Sequence, residues 1–398
     1  MDNNLLEKSY GLVFEGGGAK GAYEIGVWKA LKELNIKIEA VVGTSVGSLN
    51  GALFAQGDYE KALDIWENIR YSSIINVEDK MMENLTNFKW NQMDVHESSV
   101  RFFDILKNRG LDITPLKSLL DEMINEDLLR NSQIDFGLVT FNLSELKPME
   151  IMVKDIEPGQ VAGYLLASSY LPSFRREKIF GKNFLDGAFY NVTPTSMLIE
   201  RGYKNIIEVR IQGIGLERKV DDSGVNIIRI SARDDLGRIL EFNQAKSKRN
   251  INLGYYDTLR VFKGYIGDLF YIESNKKEPY FLKRFIMIKR RKLEKIMLSF
   301  GHKNIYKAYS SKERIICEEL IPTVVKKLKL NKNASYQDIY ILLIEKLALE
   351  LNVNQFRIYT LIGLRAEINK ELNKLSGDDL SQLLKIDILI ELAIALGV

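Results

Sequence analysis

Twice within the first sixty residues the same hydrophobic pattern occurs: an apolar, β-rich run, a glycine turn, then apolar positions at helical spacing. Tyr10 to Phe14 precedes Gly16-Gly17-Gly18-Ala19-Lys20-Gly21, and Ala22, Ile25, Val27, Ala30, Leu31 and Leu34 then mark a helix over Ala19 to Leu34. Ile38 to Val42 reads as a short buried strand, Gly43-Thr44-Ser45-Val46-Gly47 as a turn, and Val46 to Gln56 as a helix rich in small residues. Tyr59 to Ile69 predicts a further helix. Asp135 to Leu143 and Met149 to Lys154 predict a strand pair, and Phe184 to Asp186, Ile206 to Ile211 and Ile227 to Ile230 further strands. Strands alternating with helices predict an α/β fold with a mostly parallel sheet.

Beyond about Ser247 helical spacing replaces strand patterning. Lys276 to Lys295 carries nine Lys or Arg against two Glu, with Leu282, Phe285, Ile286, Leu293, Ile296 and Met297 near one face of a helix. Tyr336 to Leu351 and Leu380 to Leu396 predict amphipathic helices, the first opened by a Ser335–Asp338 capping box. The chain therefore divides into an α/β region over residues 8–265 and a helical C-terminal region over 266–398 of unassigned role.

The two glycine turns carry the chemistry. Gly43-x-Ser45-x-Gly47 between a strand and a helix is a nucleophile elbow, which exposes the Ser45 hydroxyl on a sharp bend. Gly16 to Gly21 can present backbone N–H groups to an anion, and the pair makes the two halves of an acyl-transfer site. Gly16-x-Gly18-x-x-Gly21 also fits a dinucleotide fingerprint. That reading needs an acidic residue closing the next strand, whereas Glu39 precedes Ala40-Val41-Val42, and Glu15 is a poor neighbour for a pyrophosphate. A base must accompany Ser45. The two histidines are His96, in a polar stretch, and His302, beside a basic helix. Asp186 ends the run Phe184-Leu185-Asp186-Gly187, where a carboxylate raised in basicity by burial can take a proton directly.

These motifs, in this order, resemble the patatin-like phospholipase family. Ala167-Ser168-Ser169-Tyr170-Leu171-Pro172 is similar to the segment preceding that family's Asp-Gly motif, and Asn191, Pro194, Ser231 to Gly237 and Gly254-Tyr255 extend the likeness over residues 8 to 265. Lys20 stands where Arg is commoner and Ala188 where a second Gly is common. The resemblance implies a three-layer α/β/α sandwich and lipid acyl hydrolysis by a Ser45–Asp186 dyad. It implies an oxyanion hole from the Gly16, Gly17, Gly18, Lys20 and Gly21 loop, with Gly17 and Gly18 as N–H donors, elbow glycines Gly43 and Gly47, and no metal or organic cofactor. A Ser45–Asp186–His302 triad, an acyltransferase on the same dyad and a non-catalytic lipid-sensing regulator are the alternatives.

Composition narrows the setting. The 398 residues are 46% hydrophobic and 27% charged, and a formal charge of +3 is too small to argue for nucleic acid. The single cysteine, Cys317, excludes an intramolecular disulfide and fits a reducing compartment. The polar start Met1 to Lys8 has no signal-peptide core. Ala40 to Gly57 is uncharged but holds four Gly, two Ser, Asn and Gln, a poor membrane span. The expectation is a cytoplasmic enzyme acting on phospholipid or another lipid ester. Peripheral contact with the inner membrane surface is expected through Lys276–Lys295, and the C-terminal apolar stripes offer a homodimer contact. Tyr71 to Asp112, with Met81, Met82, Trp90, Met93, Phe102 and Phe103, is expected to be irregular, and either core or an apolar lid.

Overall fold

A computed structural model of the chain describes residues 5–86, 110–302 and 311–397. The chain forms two compact units, Met1–Phe262 and Lys263–Val398.

The first unit is built on a seven-stranded sheet in the order β4-β3-β2-β1-β6-β7, with β5 paired to β3. The strands are β1 (Ser9–Phe14), β2 (Lys37–Thr44), β3 (Asp135–Asn142), β4 (Lys147–Met152), β5 (Phe184–Asp186), β6 (Asn205–Arg210) and β7 (Asn226–Ser231). Pairing is parallel from β3 through β2, β1 and β6 to β7, and antiparallel where β4 and β5 join β3. Helices cover both faces, as alternation in the strands requires. Val13, Ala40, Val42 and Val139 pack with Met197 and Leu198 of the short helix Thr195–Ile199. On the other face Gly51 of α2 (Val46–Gln56) lies over Val41 and Phe136. The result is a three-layer α/β/α sandwich with a mostly parallel sheet.

Because β1 and β2 are parallel neighbours, Phe14 pairs with Gly43. Their C-terminal ends, and so both glycine turns, leave the sheet side by side. Helix α1 (Ala22–Glu33) follows the first turn and α2 the second; α3 (Tyr59–Asn68) comes next, and a long helix, Gln244–Lys263, closes over α1. That crossing is unusually close. A Cβ on Gly26 would meet the Ile251 carbonyl oxygen at 1.8 Å, and one on Gly254 the Tyr23 oxygen at 1.9 Å.

The second unit has its own core, with Phe281, Phe285, Leu293, Ile296 and Met297 packed on Tyr340, Ile344 and Leu347. Two expectations change here. Lys276–Lys295 is not one helix but two, Glu278–Ile286 and Arg290–Ser299, separated where Lys289 takes an extended backbone at φ −64 and ψ 137. Its apolar stripe is core: Phe285, Leu293, Ile296 and Met297 are fully buried, while Lys289, Arg290, Arg291 and Lys292 face solvent with Met287 and Leu298. The predicted helix Leu380–Leu396 is likewise interrupted at Asp387, whose carboxylate accepts from the Leu389 N–H and caps a new helix. The Ser335–Asp338 capping box forms in both directions. A parallel pair of three-residue strands, Tyr271–Glu273 and Ile358–Thr360, has no sequence signal, being too short for a period. Among the described residues no helix is long and apolar enough to cross a membrane.

The α1 crossing gives a stability prediction. In Gly26→Ala the new methyl meets backbone rather than a side chain that can turn away, so the helices must separate, at a cost of about 1–3 kcal/mol or more. Thermal unfolding should start several degrees lower; an unchanged Tm would contradict the close crossing.

Candidate active site

Ser45 sits between β2 and α2 with φ 54 and ψ −128, outside the regions that side-chain-bearing residues favour. Glycine makes the bend passable. A Cβ on Gly43 would lie 2.2 Å from the Gly47 carbonyl oxygen, and one on Gly47 2.4 Å from that of Phe14. The strand, the elbow and the end of β1 are therefore in backbone contact. A hydroxyl pins the bend from behind: Ser168 Oγ accepts from the Ser45 N–H at 3.0 Å and donates to the Val139 carbonyl at 2.6 Å. The N-terminus of α2 adds its positive dipole end beside the Ser45 side chain.

Asp186 ends β5, whose pairing with β3 sets Asp186 opposite Thr140. Its N–H donates to the Tyr170 carbonyl at 2.9 Å, and its Oδ1 accepts from the Ala188 N–H at 2.8 Å. The residue is 1% exposed. Burial pushes its pKa up to about 6, opposed by the Ser45 hydroxyl and the Ala188 N–H, both of which stabilise the anion. Oδ2 is buried and, among the described residues, has no partner in hydrogen-bond geometry. The Ser45 hydroxyl thus faces the carboxylate and stabilises its anion.

The glycine loop divides its duties. The Gly16 N–H donates to the Val192 carbonyl at 2.9 Å, so it is committed to structure. Lys20 uses its N–H on the Gly17 carbonyl at 3.3 Å and its Nζ on the Gln212 carbonyl at 2.8 Å, which makes it a latch. Gly21 presents its carbonyl to Asn50 Nδ2 at 3.0 Å. Gly17 and Gly18 are left with N–H groups that no backbone bond among the described residues occupies. Gly18 holds φ +58 with the Ile239 carbonyl where a Cβ would stand.

Ser45 and Gly18 open onto a cleft of about 670 Å³, part of it open to solvent, whose wall is almost wholly apolar, with Leu49, Leu53, Ile74, Leu116, Phe174 and Phe242 among its residues. One polar seam crosses it: Asn50 accepts from Trp66 Nε1 at 2.8 Å and donates to Glu24 Oε2 at 2.7 Å. Glu24 is fully buried, which holds its pKa well above the ordinary carboxylate value.

The structure brings Ser45, Asp186, Gly43, Gly47 and the Gly16–Gly21 loop to one place. His302 lies in the second unit, 3.5 Å from Glu319 and 3.4 Å from Thr323. His96, Trp90, Met93, Phe102 and Phe103 lie outside the described residues; of the expected irregular segment, Asp79–Thr86 is helical and Met82 is buried. Sequence reasoning missed Ser168 as the brace of the elbow, the Asn50 seam and the burial of Glu15. The last had a signal, a carboxylate ending a run of apolar residues.

Residues 12–199 match the family model described as patatin-like phospholipase. The chain is 28% identical over 214 residues to a patatin-like phospholipase domain-containing protein of Caenorhabditis elegans, covering 53% of this chain and 14% of that one. It is 26% identical over 214 residues to the lysophospholipase NTE1 of Mycosarcoma maydis, covering 54% and 10%. It is 52% identical over 56 residues to the lysophospholipase nte1 of Aspergillus terreus, covering 14% and 4%. The chain thus spans a small fraction of the length of these relatives. Among solved structures it is similar to VipD from Legionella pneumophila at 14% identity, covering 98% of this chain and 90% of that one, with a TM-score of 0.35.

Asp186 gives a prediction in stability alone. Its pKa near 6 lies above the ordinary 3.8, so between those values the folded state holds a proton that the unfolded state releases. Stability from this group therefore falls as pH rises from 3.8 to 6, and the buried anion costs on the order of 3 kcal/mol at neutral pH. Asp186→Asn should raise Tm at pH 8 and lose that advantage by pH 4. An advantage that is the same at both values would contradict the assigned environment.

Proposed function

We propose that this chain, whose residues 12–199 belong to the patatin-like phospholipase family, is a serine lipid acyl hydrolase of phospholipase A or lysophospholipase type. The observation that carries this reading is a strained Ser45 facing a buried carboxylate of pKa about 6 at the head of an apolar cleft. Ser45 Oγ attacks the ester carbonyl carbon and its proton passes to Asp186. Negative charge developing on the carbonyl oxygen meets the Gly17 and Gly18 N–H groups. The C–O bond breaks, and the leaving alcohol takes the proton back from Asp186. Water then gives a proton to Asp186 and attacks the acyl-enzyme; the acyl C–Oγ bond breaks, Asp186 returns the proton to Ser45 Oγ, and the fatty acid leaves. The apolar wall of the cleft, with Leu49, Leu53, Leu116 and Phe174, suits an acyl chain. The relatives named as lysophospholipases favour a glycerophospholipid substrate.

A base that must be ionised predicts kcat/KM rising with pH through about 6. Ser45→Ala and Asp186→Asn should each lose two orders of magnitude or more in lysophospholipid hydrolysis, while His302→Ala and His96→Ala keep most of it. Product analysis by mass spectrometry decides. A folded histidine variant without activity would replace the dyad by a triad.

Contact with an anionic bilayer follows from where the substrate resides, and its form differs from helix insertion because the apolar stripe is spent on the core. It rests on the exposed run Lys289, Arg290, Arg291 and Lys292. Each cation near such a surface contributes about 1 kcal/mol, so changing all four to Glu should release the protein from phosphatidylserine vesicles, and 0.5 M salt should do the same. Sedimentation indifferent to both would remove this contact.

A further inference from the structure

Three chain segments meet at one buried carboxylate, that of Glu15, the residue immediately before Gly16. Its side chain is 1% exposed. Oε1 accepts from the Thr193 hydroxyl at 3.3 Å and lies 3.3 Å from Arg210 Nε. Oε2 accepts from the Ile211 N–H, and the Gly213 N–H also stabilises the anion. The donors come from the loop beyond Asp186 and from the chain leaving β6. Both segments touch the glycine turn elsewhere: Gly16 N–H donates to Val192, Lys20 Nζ donates to Gln212, and a Cβ on Gly213 would stand 1.9 Å from the Gly16 carbonyl oxygen.

A turn with three successive glycines has little conformational preference of its own. Oxyanion donors act only if held about 2.7–3.1 Å from where the charge develops, and a displacement of about 1 Å costs on the order of a hundredfold. Something outside the turn must hold it. Only an ionised carboxylate offers acceptors alone on both oxygens; a Gln in its place would turn an NH₂ toward one set of donors. The same ion carries a risk, since a bare anion beside Gly17 and Gly18 opposes an oxyanion. Arg210 answers that charge and is itself held by Glu208 at 3.4 Å and by Glu217.

We propose that Glu15, neutralised by Arg210, is the positioning residue of the oxyanion hole: it fixes the Gly17 and Gly18 N–H groups against Ser45 without touching substrate. This rests on Ser45 being the nucleophile. In Glu15→Gln the clamp loosens. In Arg210→Met the clamp is weakened and an unbalanced anion is left behind, so removing that anion as well should restore part of the rate. A structural contact alone gives no such recovery.

The test uses the full chain and a soluble p-nitrophenyl ester, with kcat and KM measured separately and Tm recorded. Glu15→Gln is expected to lower kcat at least tenfold with KM within about twofold of wild type. Arg210→Met is expected to lower it further, and the double variant to have a higher kcat than Arg210→Met. Arg210→Lys, which keeps the charge, should lie between wild type and Arg210→Met. Arg210 is 29% exposed, so its variants carry the test if Glu15→Gln does not fold. A wild type that turns over no ester overturns the enzyme reading and this inference with it. An active wild type whose single variants keep kcat within twofold overturns the inference alone. So does a double variant slower than Arg210→Met, or a loss of rate matched by a loss of Tm.

Discussion

The backbone at Ser45 is held where a residue with a Cβ is uncomfortable, at φ 54 and ψ −128, and the rest of the site is arranged around that constraint. Such a conformation costs about 1–3 kcal/mol and persists only when its surroundings over-determine it. Here they do. Gly43 and Gly47 meet backbone to backbone, Gly47 packs on the end of β1, and Ser168 ties the Ser45 N–H to Val139 of the neighbouring strand. Parallel pairing of β1 with β2 then puts the glycine turn beside the elbow without a further device.

Burial sets the chemistry that this geometry allows. Among the described residues no cation stabilises the Asp186 charge; desolvation dominates, and its pKa rises to about 6. A carboxylate of ordinary acidity would be a poor base near neutral pH, and the same exclusion of water that corrects this makes the cleft suitable for an acyl chain. Stability at Asp186 is exchanged for basicity, a common relation at functional sites. Burial also raises the pKa of Glu15 in the same neighbourhood, but there Arg210, the Gly213 and Ile211 N–H groups and the Thr193 hydroxyl oppose the shift, and the carboxylate braces the glycine turn.

Much of the first unit was legible because its signals are local. Val46 to Gln56 begins and ends as predicted, and the strand pair at Asp135 and Met149 is antiparallel, shifted by one or two residues. The bends at Gly43, Ser45, Gly47 and Asp186 were legible because each needs a particular residue there. What could not be read depends on contacts distant in sequence. Ser168 lies 123 residues from Ser45, and Glu15 lies 196 from Ile211. The oxyanion loop was read as one block, whereas Val192 and Gln212 decide which of its groups are already engaged. In the second unit a helical period continued through Met287 and Asp387, but Lys289 and Asp387 take extended backbones and restart the helices, which a period alone does not reveal.

The central claim is that Ser45 is a nucleophile activated by its place in the fold. Incubation with a fluorophosphonate, followed by proteolysis and mass-spectrometric mapping of the adduct, tests it most directly. The account predicts one stoichiometric phosphonate on Ser45. Labelling at another serine, or a protein that hydrolyses lipid ester while Ser45 stays unmodified, would contradict it.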